Sequence, residues 1–307
     1  MNSQTNDWRP LYPSNASQFW QIGSLRYHYL DSALLDPNPA SVDDKPVVLC
    51  VHGNPTWSFY YREVLHRLAR THRVIAVDHI GCGLSDKPAR KDYPYTLAAR
   101  RDNLVGLMDH LRLRNITLLA HDWGGAIGLA AAIQRVPLMA GIVLLNTAAF
   151  PPPYMPKRIG ILRTPILGSF AIRAFNAFAG PAVTMAMSRT KLSPEVASGL
   201  LFPYRSWRDR VAVDSFVKDI PMSPSHPTYA VLEQLERDLA KLSHLPKHLI
   251  WGMKDWCFRP ECLDRFIKHW PDAEVTRLND VGHYVIEDDP ESTLRVLQAF
   301  VERTSKA

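Results

Sequence analysis

The stretch ITLLAHDWGGAIGLAAAIQRV, residues 116–136, decides the fold. Its first seven residues form a continuous apolar run of strand length ending on Asp122, and the remainder reads as a helix rich in small residues. Within it, Ala120-His121-Asp122-Trp123-Gly124 has the form small-x-nucleophile-x-small, the spacing of a nucleophile elbow. Small residues at 120 and 124 let the chain turn sharply from strand to helix and lift the central side chain above a sheet. The usual serine is replaced by Asp122, a carboxylate whose attack on carbon would form an alkyl ester. An Asp between a strand and a helix is also an ordinary N-cap, so the neighbouring segments have to decide its meaning.

Working outward, similar apolar runs occupy 46–53, 73–78, 140–146, 247–255 and 273–283, with helix-like segments at 60–70, 96–112, 124–136, 261–269 and 290–304. The runs are continuous rather than alternating, as expected for strands covered on both faces. Strand and helix in alternation predict an α/β fold with a mostly parallel central sheet flanked by helices. The run 24–32 alternates instead and predicts an edge meander. Some 100 residues separate the runs at 140–146 and 247–255, too many for an ordinary crossover, and prolines punctuate them. The pattern predicts an inserted helical cap at 151–227, then a helix at 228–242. The core is then 1–150 and 228–307.

The 307 residues are 46% apolar and 21% charged, which excludes a disordered chain, a fibre or a coiled coil. No apolar run reaches 18 residues, and the first ten residues carry no apolar leader-like core, so the expected location is cytoplasmic. The four cysteines form no CxxC pair, which predicts neither a disulfide framework nor a zinc site, and nothing indicates a metal or a cofactor. The net charge of +6 belongs to one segment. Pro151 to Pro194 holds six basic residues and no acid, while the rest of the chain balances at 30 of each. No aromatic and basic residues alternate at strand spacing, so no nucleic-acid partner is expected. The basic segment itself reads either as a solvated lid surface or as a contact with a membrane or a partner protein. The oligomeric state is open.

In open α/β sheets the reacting groups gather beyond the carboxyl ends of the strands. Here those ends carry His52-Gly53-Asn54-Pro55, Asp122, Asp255 and His283. The chain order Asp122, Asp255, His283 is that of nucleophile, acid and base for an elbow of this kind. Asp255 would hold and polarise the imidazole, or else cap the helix that follows it. The run at 140–146 ends on Asn146, so no second acid competes for that place. The backbone amides of Asn54 and Trp123 would make an anion hole, and the Asn54 amide and the Trp123 indole add two side-chain donors. Such donors suit a leaving anion, halide or carboxylate. Trp123 could equally be a packing residue. The Gly-rich turn 78–85 lacks dinucleotide spacing and reads as structural.

The motifs HGNPTWS (52–58), DHIGCGLSDKP (78–88), HDWGG (121–125), WGMKD (251–255) and GHYVIED (282–288) together resemble the haloalkane dehalogenases of the α/β-hydrolase fold, in particular their third subfamily. Within that group NTAAFPPP (146–153), FVKDIPMSP (216–224) and WGMKDWCF (251–258) are similar to the β-lactone decarboxylases of long-chain olefin biosynthesis. The resemblance implies Asp122 as nucleophile, His283 as base, Asp255 as acid, Asn54 and Trp123 as binders of the leaving anion, and a small apolar substrate. In the first reading Asp122 displaces halide, and water activated by His283 hydrolyses the ester to an alcohol. In the alternative the leaving group is a lactone carboxylate, and loss of carbon dioxide gives an alkene. An epoxide hydrolase would need cap tyrosines, for which Tyr154, Tyr204 and Tyr229 are available. A binding module without catalysis would be expected to have lost part of this set, and all five positions are filled.

Overall fold

Val47-Val48-Leu49-Cys50-Val51 shows how the sheet is covered. Val47, Leu49 and Val51 pack into one apolar cluster, Val48 and Cys50 into another, and none of the five is more than 4% exposed. A continuous apolar run is what a strand between two helical layers requires. The computed structural model describes residues 7–36 and 45–305; residues 1–6, on which the reading of the N-terminus rests, lie outside them, as do 37–44 and 306–307.

Among the described residues, eight strands form one sheet: β1 (Ser17–Ile22), β2 (Leu25–Asp31), β3 (Val47–Val51), β4 (Arg73–Val77), β5 (Ile116–Asp122), β6 (Met139–Thr147), β7 (Lys247–Gly252) and β8 (Glu274–Leu278). Their order is β1-β2-β4-β3-β5-β6-β7-β8. The β1–β2 and β2–β4 pairs are antiparallel and every other pair is parallel. The direction of winding reverses between β3 and β5, and it is beyond the carboxyl ends at such a switch that α/β sheets open a crevice. Asn54 follows β3, and Asp122 ends β5.

Helices α1 (Arg62–Leu68), α2 (Leu97–His110) and α3 (Trp123–Gln134) alternate with the inner strands, and α10 (Pro260–His269), α11 (Val285–Asp288) and α12 (Pro290–Thr304) come late in the chain. One face of the sheet packs against α2, α3 and α10, the other against α1, α11 and α12. Between β6 and β7 lie α4 (Lys157–Leu162), α5 (Pro165–Phe175), α6 (Ala179–Met185), α7 (Pro194–Leu201), α8 (Val211–Asp219) and α9 (Pro227–Asp238). Three prolines of this segment begin helices: Pro165, Pro194 and Pro227 stand in first turns, where a missing N–H costs nothing. Thr164 and Ser193 cap two of those starts with their hydroxyls. Ile159, Ile172, Ala179, Val213 and Val217 form a third apolar cluster beneath these helices. No single helix among the described residues is long and apolar enough to cross a membrane.

The structure departs from the sequence reading in three places. A strand not foreseen, β1, forms the outer edge and pairs antiparallel with β2, which lies in the edge meander expected of 24–32. The last apolar run leaves the sheet at Leu278, earlier than expected, because Asn279 and Asp280 turn the chain away, and His283 follows the strand on a loop as expected. The helix expected at 228–242 is α9 followed by a separate 3-10 turn, Leu239–Leu242.

Candidate active site

Asp122 has φ +54° and ψ −132°, a sparsely populated backbone region that costs roughly 1–3 kcal/mol for a residue with a side chain. The surroundings enforce it. The Thr147 hydroxyl donates to the Asp122 carbonyl oxygen. A Cβ on Gly124 would collide with the Val51 carbonyl, so only glycine lets α3 start this close to β3. Although Asp122 stands where an N-cap would, its side chain caps nothing. Its Oδ1 instead accepts the Asn54 backbone N–H at 2.6 Å, with the Trp123 amide also directed at the carboxylate. Gly53 permits that approach, because a side chain there would collide with the Asp122 carboxylate.

The other oxygen, Oδ2, faces His283 Nε2 at 3.7 Å. His283 Nδ1 lies 2.7 Å from Asp255 Oδ2. Asp255 does not cap α10. Its Oδ1 accepts from the Cys257 backbone N–H at 2.6 Å, and its Oδ2 accepts from Asn146 Nδ2 at 3.0 Å. Asn146 is fixed in turn by exchanging two bonds with the backbone of Gly252, 2.9 and 2.7 Å long. The Phe258 ring lies stacked on the imidazole of His283, and His121 meets the His283 carbonyl at 2.9 Å through Nε2. Burial pushes the Asp122 carboxyl up to about 6, against the opposing pull of His283 and the two amides. Burial alone would lower His283, but the charge and hydrogen bond of Asp255, helped by Asp122, raise it above its ordinary value. A buried carboxylate and an imidazolium that stabilise each other can attack carbon and shuttle a proton.

A cavity of about 140 Å³ opens over Asp122. Asn54, Trp123 and His283 stand at its polar end, and Asp255 is buried behind His283. The Asn54 side chain donates one N–H to the Val213 carbonyl of α8 at 3.2 Å and keeps a second. Among the described residues the Trp123 indole N–H has no protein acceptor, while its ring packs on Phe216. The rest of the wall is apolar, with Ala126, Phe150, Met155, Ile159, Phe178, Val217, Ile220, Leu232 and Trp256 among its members. It is built from both the sheet end and the segment between β6 and β7. No group of three or more His, Cys, Asp or Glu among the described residues could hold a metal.

All five residues singled out in the sequence meet at one site, four of them lining the cavity and Asp255 behind His283. The tyrosines an epoxide hydrolase would need do not. Tyr154 lines the wall but donates to the Cys257 carbonyl, Tyr204 is buried against the Thr56 carbonyl, and Tyr229 is not in the wall. Asn146, Thr147, His121 and Phe258 were not foreseen. Of these, only Asn146 left a trace in the sequence, as a polar residue closing an apolar run.

The model of the α/β-hydrolase fold family matches residues 46–290. The chain is 39% identical to a cis-3-alkyl-4-alkyloxetan-2-one decarboxylase of Shewanella oneidensis, over 85% of this chain and 83% of that protein. It is also 39% identical to the decarboxylase of the same name from Xanthomonas campestris, over 88% and 91%. Haloalkane dehalogenase 2 of Mycobacterium tuberculosis is 31% identical over 95% and 96%. Among solved structures, a variant of the haloalkane dehalogenase DatA from Agrobacterium tumefaciens superposes with a TM-score of 0.82 at 25% identity, covering 95% of this chain and 98% of that one.

Proposed function

The chain belongs to the α/β-hydrolase family, and we propose that it removes carbon dioxide from a cis-dialkyl β-lactone to leave an alkene. One observation carries the choice of reaction: identity to two decarboxylases is 39% over at least four-fifths of each chain, against 31% for the dehalogenase. The apolar cavity ending in two free N–H donors suits the same substrate, an alkyl-substituted ring that releases a carboxylate.

Asp122 Oδ2, the oxygen not held by Asn54, attacks the ring carbon that bears the ring oxygen, from the opposite face. That carbon–oxygen bond breaks, and the carboxylate departs with the electron pair toward the N–H groups of Trp123 and Asn54. The bond between the neighbouring carbon and this carboxylate then cleaves. Its electron pair becomes the new π bond, the ester bond to Asp122 breaks, and the Asp122 carboxylate returns. No water and no proton are consumed. Backside attack places the Asp122 oxygen anti to the carboxylate, so a cis lactone gives a cis alkene. His283, held by Asp255, keeps Asp122 ionised against its burial. Segment 151–227 acts as a cap that keeps water from the ester. The four unpaired cysteines suit a reducing compartment, and we place the protein in the cytoplasm.

The second reading is dehalogenation, which the same donors and the likeness to dehalogenases favour. There His283 must activate water against the ester, whose carbonyl oxygen would sit on the Asn54 and Trp123 amides. Feeding a cis-β-lactone and a bromoalkane in parallel, in heavy-oxygen water, separates the two. Alkene and carbon dioxide with no label entering Asp122 are expected. Alcohol and bromide from the bromoalkane, with no alkene from the lactone, would overturn the proposal.

A further inference from the structure

Nine large apolar side chains are exposed among the described residues, and seven of them lie on the segment between β6 and β7: Ile161, Ile166, Leu167, Phe170, Phe175, Trp207 and Met222. Ile166 is 83% exposed and Leu167 77%. Phe170 touches both Phe175 and Trp207, with ring centroids 5.6 and 6.0 Å apart, so the patch is continuous. Patches of this kind on a soluble fold mark a contact surface. Helix α5 carries most of it and is tied down from beneath. Ile172 is fully buried, and Ser169 bonds Asp214, which also binds Arg90. The following helix bends away by 76°, and α5 packs against α8.

Charge says what this face meets. A surface groove lined by Lys87, Arg90, Arg173 and Arg208 shares Trp207 and Arg173 with the apolar patch, and the Arg173 guanidinium sits 4.5 Å from the Trp207 ring. Asp214 offsets Arg90, and Asp209 on the same loop is turned to the Ser206 backbone. The segment from Pro151 to Pro194 has no acid to repel an anion. An apolar helix face flanked by cations fits a layer that is anionic at its surface and apolar just below.

We propose that the face made by α5 and Trp207 docks on an anionic lipid bilayer, with Ile166, Leu167, Phe170 and Phe175 entering the acyl boundary and the cationic groove taking headgroup phosphates. The neighbouring part of the same segment lines the cavity through Ile159 and Phe178, so the docked face and the cavity wall belong to one segment. The inference goes beyond the proposed reaction and does not depend on which substrate is turned over.

The test is cosedimentation of the full chain with vesicles of phosphatidylcholine containing phosphatidylglycerol, against phosphatidylcholine alone, at low and high salt. Binding about tenfold stronger to the anionic vesicles, and lost in high salt, is expected. Ile166→Gln with Leu167→Gln should weaken it by about tenfold or more. Arg173→Gln with Arg208→Gln should weaken it by about fivefold per cation. Both variants should melt and turn over a short soluble substrate as the parent does. Three results would overturn the proposal: no binding by the unsubstituted chain at low salt, binding indifferent to both variants, or variants that dissolve self-association while leaving vesicle binding intact. The last would make the face an interface between copies.

Discussion

Asp122, the proposed nucleophile, is buried and yet would have to be charged to react. Burial holds its carboxyl near 6, well above the ordinary 3.8. Below about pH 6 the nucleophile is protonated, so kcat/KM on a β-lactone should fall about tenfold per pH unit there. Decarboxylation needs no base, and its profile should stay flat above that limb. Bromoalkane hydrolysis needs neutral His283, whose pKa Asp255 and Asp122 raise despite burial, and should show a second limb above the ordinary imidazole value. A second limb on the lactone would contradict the proposed route. The same shift has a cost in stability. A carboxyl raised by folding favours the protonated native state, so its contribution is complete below the unfolded value and is lost as pH rises through about 6. At neutral pH Asp122→Asn should therefore abolish turnover and stabilise the fold by up to about 3 kcal/mol, less what His283 loses as a partner. A melting temperature below the parent's would show that the carboxylate is not held at such a cost. Asn146→Ala leaves Asp255 one donor short. Losing a hydrogen bond to a charged group costs about 1.5–3 kcal/mol, so turnover should drop by roughly ten- to a hundredfold and the melting temperature should fall as well. Unaltered turnover would make Asn146 merely a brace for Gly252.

At the scale of elements, the elbow depends on what its neighbours lack. Gly124 faces the Val51 carbonyl, a backbone atom that cannot rotate aside. Gly124→Ala should therefore cost about 3 kcal/mol, the upper part of the usual overpacking range, and shift Asp122 off Asn54. Thermal melting and turnover should fall together, and an alanine variant with parental activity would mean the turn has slack that the geometry denies. The inner strands were legible because they are buried on both faces, and the elbow because its small residues flank one acid. Strand β1 was not legible: Ser17–Ile22 is an amphipathic edge strand with no fully buried residue, so it leaves no apolar run. Asp255 and His283 could be placed by chain order, but the support under Asp255 could not. Asn146 reaches it because β6 pairs with β7 in the register Leu145 to Ile250, and register between parallel strands is written in no single residue. Likewise the prolines of 151–227 announced a break from the sheet, while the face each helix would bury became clear only once Ile159, Ile172 and Val217 met in a cluster of their own.

At the scale of the whole molecule, the sheet and the segment above it have different work to do. The carboxyl ends of β3, β5 and β7, with the loop after β8, supply Asn54, Asp122, Asp255 and His283. The segment between β6 and β7, through its loops and helices together, supplies most of the apolar wall. On a β-lactone, the ester on Asp122 has two exits. It can expel carbon dioxide and give an alkene, or be struck by water through His283 and give a hydroxy acid. Which exit wins depends on how dry the cavity is, because desolvation disfavours the water attack and leaves the unimolecular cleavage untouched. Thinning the wall from above should shift the balance. Phe178→Ala, and separately Ile159→Ala, remove bulk that lines the cavity while sparing every group that touches the reacting atoms. The truncations cost about 2–5 kcal/mol, and for Ile159 the loss falls in the small cluster beneath α4–α6 rather than in the two that cover the sheet. The core should stay folded, and the ratio of hydroxy acid to alkene should rise several-fold. Adding His283→Ala to either variant should return the product to alkene, since the water is then present without its base. An unchanged ratio in both single variants would mean that dryness is not what the segment provides, and a ratio that rises but survives loss of His283 would mean that water attacks the lactone directly, with no ester on Asp122 at all.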